Sequence, residues 1–341
     1  MRTLIIGDIH GCYDELRDLF DAVALAADDR VVSVGDLVDR GPQPGEVVRW
    51  FRERAGAVVI MGNHERKHVR QVFSYSQEIT RLQLGDGYAD ACAWMRGLPY
   101  YFEMPEVRVV HAALIPGVPL AEQPEHVLAG TTSGEAELRA RGFGGDGAGG
   151  WWHEHYTDAV PVVFGHHVVG PEPLVREGKV YGIDTGACHG HRLTALSVPE
   201  FRLYSVPARA DHWAHTARAY QVAVLRTRPW RTMSWKKIDE KIADFKADGE
   251  TAPYLDEIAA WAAAVRSLQA RMLARVPELA AETEDVESHP AKALLYMHAR
   301  GRLDADAIAK RCATPAATLE LAAKLGIDAS ALGDVTRAHS E

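Results

Sequence analysis

The sequence predicts an α/β protein: a parallel sheet with helices on its faces, a second, largely antiparallel sheet, and an α-helical C-terminal extension. Three observations carry this. Apolar, β-rich runs alternate with amphipathic helical patterns over residues 1–65, closely spaced β-rich runs fill residues 107–207, and beyond Pro207 the composition turns to Ala-rich helix formers.

The first strand is 4–6. In "CYDELRDLFDAVALA", Leu16, Leu19, Phe20 and Val23 fall at helical spacing, so a helix follows. A second strand, 31–34, leads through the loop "DRGPQPG" into an amphipathic helix carrying Val47, Val48 and Phe51, and 58–61 is the third strand. Strand, helix, strand, helix, strand is the signature of parallel units with crossover helices. Residues 64–96 read as helical. The runs "VRVVHAAL", "VPVVFGHH", "KVYGIDTG", "RLTALSVP" and "FRLYSVP" then read as strands, close enough together to suggest a largely antiparallel second sheet. Between them "GFGGDGAGG" (142–150) reads as a flexible loop. Helices are expected at 235–246, 253–275, 290–299, 305–312 and 316–325, with a boundary near residue 210 separating residues 1–209 from a mostly helical part, 210–341.

At 341 residues the chain can hold one large domain, or a domain of about 200 residues and a smaller one. No apolar run approaches the roughly 20 residues that span a bilayer, and Met1 stands directly before the first strand, leaving no room for a signal peptide. Four cysteines without a CxxC pair read as free thiols. A cytoplasmic protein with no membrane partner is the expectation. The charge of −9 is uneven: residues 1–206 hold 19 Lys and Arg against 28 Asp and Glu, so a general nucleic-acid-binding surface is not expected there. Carboxylates gathered into metal sites account for part of such an excess.

Those carboxylates recur in a pattern. "LIIGDIH", "VSVGDLVDRG" and "VIMGNHE" each run apolar, then Gly, then Asp or Asn, placing Asp8, Asp36 and Asn63 at spacings of 28 and 27 residues. One crossover unit between each brings all three turns to one sheet edge, where ligands of open α/β sheets gather. The glycines are expected to let the backbone turn sharply at each strand end. Further strand ends add His111, His166 and His167, and "YGIDTG" adds Asp184. Carboxylate, amide and imidazole donors without thiolate suit divalent Mn, Fe, Zn or Co. The set is too large for one tetrahedral ion, and two ions about 3.5–4 Å apart, sharing a carboxylate, fit it better.

"GDIHG", "GDLVDRG", "GNHE", "HA" and "GHH", in that order, resemble the phosphoprotein phosphatase branch of the calcineurin-like metallophosphoesterases over residues 1–206. "IDTGACHGHRLTALSVPE" further resembles the bacterial subgroup with symmetrical diadenosine tetraphosphatases and the phosphatase module of polynucleotide kinase–phosphatase. The resemblance implies a two-sheet metallophosphoesterase sandwich flanked by helices. It puts Asp8 and His10 on a first metal, Asp36 as the bridge, and Asn63, His111 and His166 on a second. His64 would be the general acid, oriented by Asp39, and Arg40 would hold the phosphate. Asp184 and His167 are further candidates as supports to a ligand. The family's second phosphate-binding arginine has no counterpart in "EQPEHVLAGTTSGEAELRARG", where Thr131 and Thr132 stand near its place and Arg139 and Arg141 are the candidate substitutes.

In the second half, residues 212–238 lack any acidic residue and mix six Arg and Lys with Trp213, Tyr220, Trp230 and Trp235. Such a strip could stack bases, but burial of the aromatics is the favoured reading. "DADAIAKRCATPAATLELAAKLGI" has a helix-turn-helix cadence, yet its second helix offers only Lys324 as a base, so packing is favoured there too.

The functional expectation is a phosphatase using two divalent ions, manganese first with Fe, Zn, Co or Ni as alternatives. Metal-activated hydroxide would attack a phosphate monoester on a phosphoprotein, a nucleotide or an RNA end. "GDLVDRG" and "GNHE" carry the Asp39 and Glu65 of the phosphatase pattern, where diadenosine tetraphosphatases often read "GDLVARG" and "GNHD". Symmetrical dinucleoside tetraphosphate hydrolysis is the alternative. A nucleic-acid-binding or scaffold protein with a vestigial metal site is the alternative of another class, disfavoured by the intact ligand set.

Overall fold

The computed structural model describes residues 2–145, 149–245, 249 and 251–332. The chain forms two compact units, Met1–Tyr220 and Gln221–Glu341.

The first unit runs β1 (Thr3–Ile6), α1 (Tyr13–Ala22), β2 (Arg30–Ser33), α2 (Pro44–Glu53), β3 (Val58–Val59), α3 (Asn63–Val69), α4 (Tyr75–Leu84), α5 (Tyr88–Met95), β4 (Tyr101–Met104) and β5 (Val107–Val110). It continues with α6 (Glu125–Leu128), α7 (Thr132–Ala140), β6 (Val162–Phe164), β7 (Leu174–Arg176), β8 (Val180–Gly182), β9 (Arg192–Val198), β10 (Arg202–Pro207) and α8 (His212–Ala219). Two five-stranded sheets result, ordered β10-β9-β1-β2-β3 and β4-β5-β6-β8-β7.

Side-chain alternation explains the layers. Leu4 and Ile6 of β1 pack with Leu16 and Leu19 of α1 and Val47 and Phe51 of α2. Ile5, between them in sequence, points the other way and meets Val32, Val109, Val163 and Ile183 in the space between the sheets. The far face of the second sheet, with Val110, Val162 and Phe164, is covered by Trp152 and by Val127, Leu128 and Leu138 of α6 and α7. Each fully buried leucine or valine here contributes about 1.5–3 kcal/mol. Strands buried on both faces favour apolar residues at successive positions, which is why Leu4, Ile5 and Ile6 of β1 and Val31 and Val32 of β2 read as continuous hydrophobic runs.

The second sheet corrects the expectation of a largely antiparallel one. Residues 192–207 form a hairpin that joins the first sheet, β9 pairing antiparallel with β1. Within the second sheet β5–β6 and β6–β8 are parallel, and only the outer pairs are antiparallel. Parallel pairing follows from the connections: β5 reaches β6 through a long crossover containing α6 and α7 rather than a tight turn. β4 and β7, absent from the sequence reading, are short and partly exposed edge strands without a strong apolar signal. Residues 64–96 divide into α3, α4 and α5. In the loop at 142–150, Gly144 bridges Trp151, and residues 146–148 lie outside those described.

The sequence places a boundary near residue 210; the units divide after Tyr220, with α8 in the first. Glu15 of α1 is fully buried and accepts the Arg209 N–H at 2.9 Å and the His212 Nε2 proton at 2.7 Å, fastening the segment after β10 to α1.

The second unit comprises α9 (Gln221–Arg226), α10 (Trp235–Phe245), α11 (Ala252–Glu282), α12 (Lys292–Ala299), α13 (Ala305–Ala309) and α14 (Pro315–Lys324). Lys246, in the helix expected at 235–246, lies outside the described residues. α11 buries Leu255, Ile258, Val265, Leu268, Met272 and Val276, and continues past Pro277 beyond the expected end. Leu294, Leu295, Ile308, Cys312 and Ala322 from α12, α13, α14 and their turns complete the core. Trp230 is fully buried, its indole N–H donating to Leu225 O at 3.0 Å and Tyr254 OH at 3.1 Å. The Trp235 ring lies under the Arg266 guanidinium at 4.6 Å. Among the described residues no helix is long and apolar enough to cross a membrane.

Candidate metal centre

β1, β2 and β3 end side by side, so the turns that follow deliver Asp8, Asp36 and Asn63 to one edge. The glycines before them do different work from the sharp turning the sequence suggests. Only Gly35 has a left-handed backbone, φ +109°. A Cβ on Gly7 would lie 2.3 Å from Ile183 O, and one on Gly62 would lie 2.1 Å from Asp36 Oδ1, so these two are kept bare by close approach. Among the described residues, five of the nine left-handed ones that carry a side chain also stand here: His10 (φ 47°), Asp36 (53°), Asp39 (71°), Arg40 (67°) and His166 (66°).

Two ligand sets meet at Asp36. His10, Asp36 and His64 place donor atoms within 4.8 Å of one another, and so do Asp36, His111 and His166. Asp36 Oδ2 is 3.5 Å from His10 Nε2, and Oδ1 is 3.4 Å from His111 Nε2. Asn63 Oδ1 lies 3.1 Å from both His111 Nε2 and His166 Nδ1. Asp8 stands outside both sets, its two oxygens accepting the His166 N–H at 3.1 Å.

The donor chemistry fits divalent cations. His10 and His111 each point Nδ1 at a backbone carbonyl, Val38 O and Val34 O, at 2.9 Å. Nδ1 therefore carries the proton, and Nε2 turns a bare lone pair inward. At His111 that lone pair faces the oxygens of Asp36 and Asn63, acceptor against acceptor. Burial and repulsion from Asp184 and Asp36 push Asp8 well above the usual carboxylate range, and burial lowers His111 to about 4. A cation among these groups would hold Asp8 ionised and take up the bare Nε2 lone pair of a neutral His111. Asp36, Asn63, His111 and His166 could hold one ion, and Asp8, His10 and Asp36 a second. Arg40 Nη1 donates to His10 Nε2 at 3.0 Å, so that lone pair is engaged by the guanidinium.

Beside this edge lies a second network. Asp39, fully buried, accepts His64 Nδ1–H at 2.6 Å, His68 Nε2–H at 2.9 Å and the Gln77 amide. Burial alone would raise Asp39, but the bonds from His64 and His68 hold it well below its ordinary value. His64 Nε2 is thereby aimed at the centre, 3.8 Å from Asp36 Oδ2 and 3.3 Å from Arg40 Nη2. Glu65, read from sequence as part of the phosphatase pattern and given no contact there, is fully buried. Its carboxylate accepts the N–H groups of Asp36 (2.9 Å), Leu37 (2.8 Å) and Gly62 (3.1 Å), tying the second turn to the third. Burial and the Asp36 charge push it up to about 7.

The remaining candidates fall as follows. Asp184 accepts the Gly186 N–H at 3.0 Å and is raised to about 6 by burial. The His167 ring lies 4.6 Å from that of His166. Arg141 is bound to Glu137 on the exposed side of α7, with Nη2 at 2.8 Å, and is not brought to the centre. Arg139 borders a separate cavity of about 80 Å³ with Trp151 and His167. Thr131 caps α7 by accepting the Gly134 N–H at 3.2 Å. His68, Gln77 and Glu135 were missed. The i, i+4 spacing of His64 and His68 was a usable signal. Glu135, whose Oε1 lies 3.2 Å from His166 Nε2, had none, because the two are 31 residues apart.

A two-sheet α/β sandwich with this edge defines a metal-dependent hydrolase of phosphate esters. The calcineurin-like phosphoesterase family model matches residues 1–195, and the chain belongs to that family. Among its relatives is the asymmetrical bis(5'-nucleosyl)-tetraphosphatase PrpE of Halalkalibacterium halodurans, 30% identical over 61% of this chain and 95% of that protein. The symmetrical bis(5'-nucleosyl)-tetraphosphatase of Coxiella burnetii is 23% identical over 61% of this chain and 92% of its own length. A crystal structure provisionally described as a diadenosine tetraphosphatase matches with a TM-score of 0.50 and 29% identity, covering 61% of this chain and 93% of the other.

Proposed function

We propose that the chain hydrolyses phosphate esters at a dinuclear centre, with Asp8, His10 and Asp36 holding one ion and Asp36, Asn63, His111 and His166 the other. Manganese is the first expectation, and iron, zinc, cobalt or nickel suit the same donors. The observation that supports this is the position of Asp36, a single carboxylate common to two converging ligand sets. When bound, the ions supply Lewis acidity and lower the pKa of a bound water towards ~7.

The chain's own groups do the rest. Arg40 can grip two phosphoryl oxygens bidentately, releasing His10 Nε2 and His64 Nε2 as it turns to them. His64 then carries a proton on Nε2 for the leaving oxygen, while its Nδ1–H stays with Asp39. Four buried, unpaired cysteines suit a reducing compartment, and we place the protein in the cytoplasm.

The substrate class with the simplest demands is a phosphate monoester on a phosphoprotein, a nucleotide or an RNA end. The second reading, a dinucleoside polyphosphate, is favoured by the relatives named above. The test is p-nitrophenyl phosphate hydrolysis with Mn²⁺. Asp36→Asn is expected to lose at least about a hundredfold, and a variant as active as the parent would overturn the assignment.

A further inference from the structure

α3 separates its two polar stripes. His64 and His68 face Asp39. Asn63, Arg66, Lys67 and Arg70 recur at i, i+3, i+4 and i+7 and share the other face. This second stripe lines a cavity of about 290 Å³ that also takes in His166, so two candidate metal ligands and three cations border one concavity. Arg66 donates to Tyr100 OH at 3.4 Å. Among the described residues, Lys67 and Arg70 have no carboxylate partner. The acid in the cavity, Glu135, is already engaged by His166. Thr131 and Thr132, near the place of the family's second arginine, border the same space.

Distance decides what such a row can bind. Seven helical residues separate Asn63 from Arg70, about 10 Å along the axis. One phosphoryl group held at Asn63 and His166 covers only the start of that row, whereas a chain of phosphates runs along it. The cations also stand out against their own background, since residues 1–206 carry excess negative charge.

We propose that this stripe is a binding site for the further phosphates of a polyphosphate substrate. The attacked phosphorus lies at the metal ligands, and the phosphates that follow it lie along Arg66, Lys67 and Arg70. Water adds its oxygen to the attacked phosphorus, the bridging P–O bond breaks, and the departing polyphosphate takes the proton. The proposal rests on the reading of the centre as a phosphoesterase. The ligand chemistry is a nucleoside-linked polyphosphate, which a free dinucleotide and a 5'-triphosphorylated RNA end share and a phosphopeptide lacks.

The experiment compares kcat/KM with Mn²⁺ for diadenosine tetraphosphate, a 5'-triphosphorylated oligoribonucleotide, a phosphopeptide and p-nitrophenyl phosphate. The proteins are the full chain, Asp36→Asn, Lys67→Ala, Arg70→Ala, the Lys67 and Arg70 double variant and Lys67→Arg. A polyphosphate is expected to be the best substrate. Each alanine should lower its kcat/KM relative to p-nitrophenyl phosphate by about tenfold, through KM, as loss of a charged hydrogen bond implies. Lys67→Arg should restore most of the loss. Preference between the dinucleotide and the RNA end identifies the source of the chain. A phosphopeptide as best substrate, or an unmoved ratio in the double variant, overturns the stripe alone. Absence of any Asp36-dependent hydrolysis overturns the phosphoesterase reading beneath it.

Discussion

Replacing Gly62 by alanine tests the centre with one methyl group. The backbone at Gly62, φ −85° and ψ 171°, is open to any residue, so alanine meets no conformational penalty. The collision is with neighbours: the new Cβ would lie 2.1 Å from Asp36 Oδ1, 2.7 Å from Asp36 N and 2.8 Å from Glu65 Oε2. Ordinary contact begins at 3.4 Å, so the Asp36 oxygen and Cβ must separate by roughly 1.3 Å. Asp36 Oδ1 cannot retreat without losing the His64 N–H at 3.1 Å. Overpacking of this kind costs about 1–3 kcal/mol, and an error near 1 Å in a reacting group can cost about a hundredfold in rate. We expect Gly62→Ala to lose about that factor in kcat/KM on p-nitrophenyl phosphate, to need at least about tenfold more Mn²⁺, and to unfold at lower urea. Gly45→Ala is the control, because its Cβ would meet only Leu84 Cδ2 at 3.5 Å. If Gly62→Ala shows the parental rate and metal requirement, Asp36 is not the carboxylate that both ligand sets depend on.

Three more predictions follow from the same geometry. Asp39→Asn leaves His64 without its carboxylate, so hydrolysis should fall about 10²–10⁴-fold, more for phenyl phosphate than for the better leaving group of p-nitrophenyl phosphate; equal losses would remove the proton-donor role. Asp39 ionises below its unfolded value of about 3.9, so its stabilisation is complete above that pH and disappears as pH falls through the lower folded value. Urea unfolding between pH 7 and pH 3 should show this slope in the parent and a flatter one in Asp39→Asn. Chelation should abolish activity, and Mn²⁺ should restore it and raise the melting temperature with its concentration, by about 2.7 kcal/mol of stability at a hundred times Kd.

Legibility from sequence followed the range of the interactions involved. β1, β2 and β3 carried their apolar periodicity locally, and the spacing of Asp8, Asp36 and Asn63 was enough to put them on one edge. The sheet membership of β9 and β10 was not local. A hairpin reads the same wherever it docks, and only the burial of both faces of β9 puts it beside β1. The site divides in the same way. Ligands at strand ends were legible, whereas Gln77 reaches Asp39 across 38 residues with no pattern to mark it. Gly62 was legible as a residue and misread as a cause, because a missing Cβ near Asp36 is a fact of packing rather than of backbone torsion.

The five left-handed residues at the centre have a thermal consequence. Each costs on the order of 1–3 kcal/mol, and together they approach the roughly 5–15 kcal/mol of net stability that a whole domain retains. Such turns persist only while the sandwich around them clamps them. A core weakened by heat or substitution should let these turns relax while the sheets still stand, so catalysis should fade several degrees before circular dichroism reports melting. Activity and ellipticity recorded on one temperature ramp would then part company, and cooling would bring the activity back.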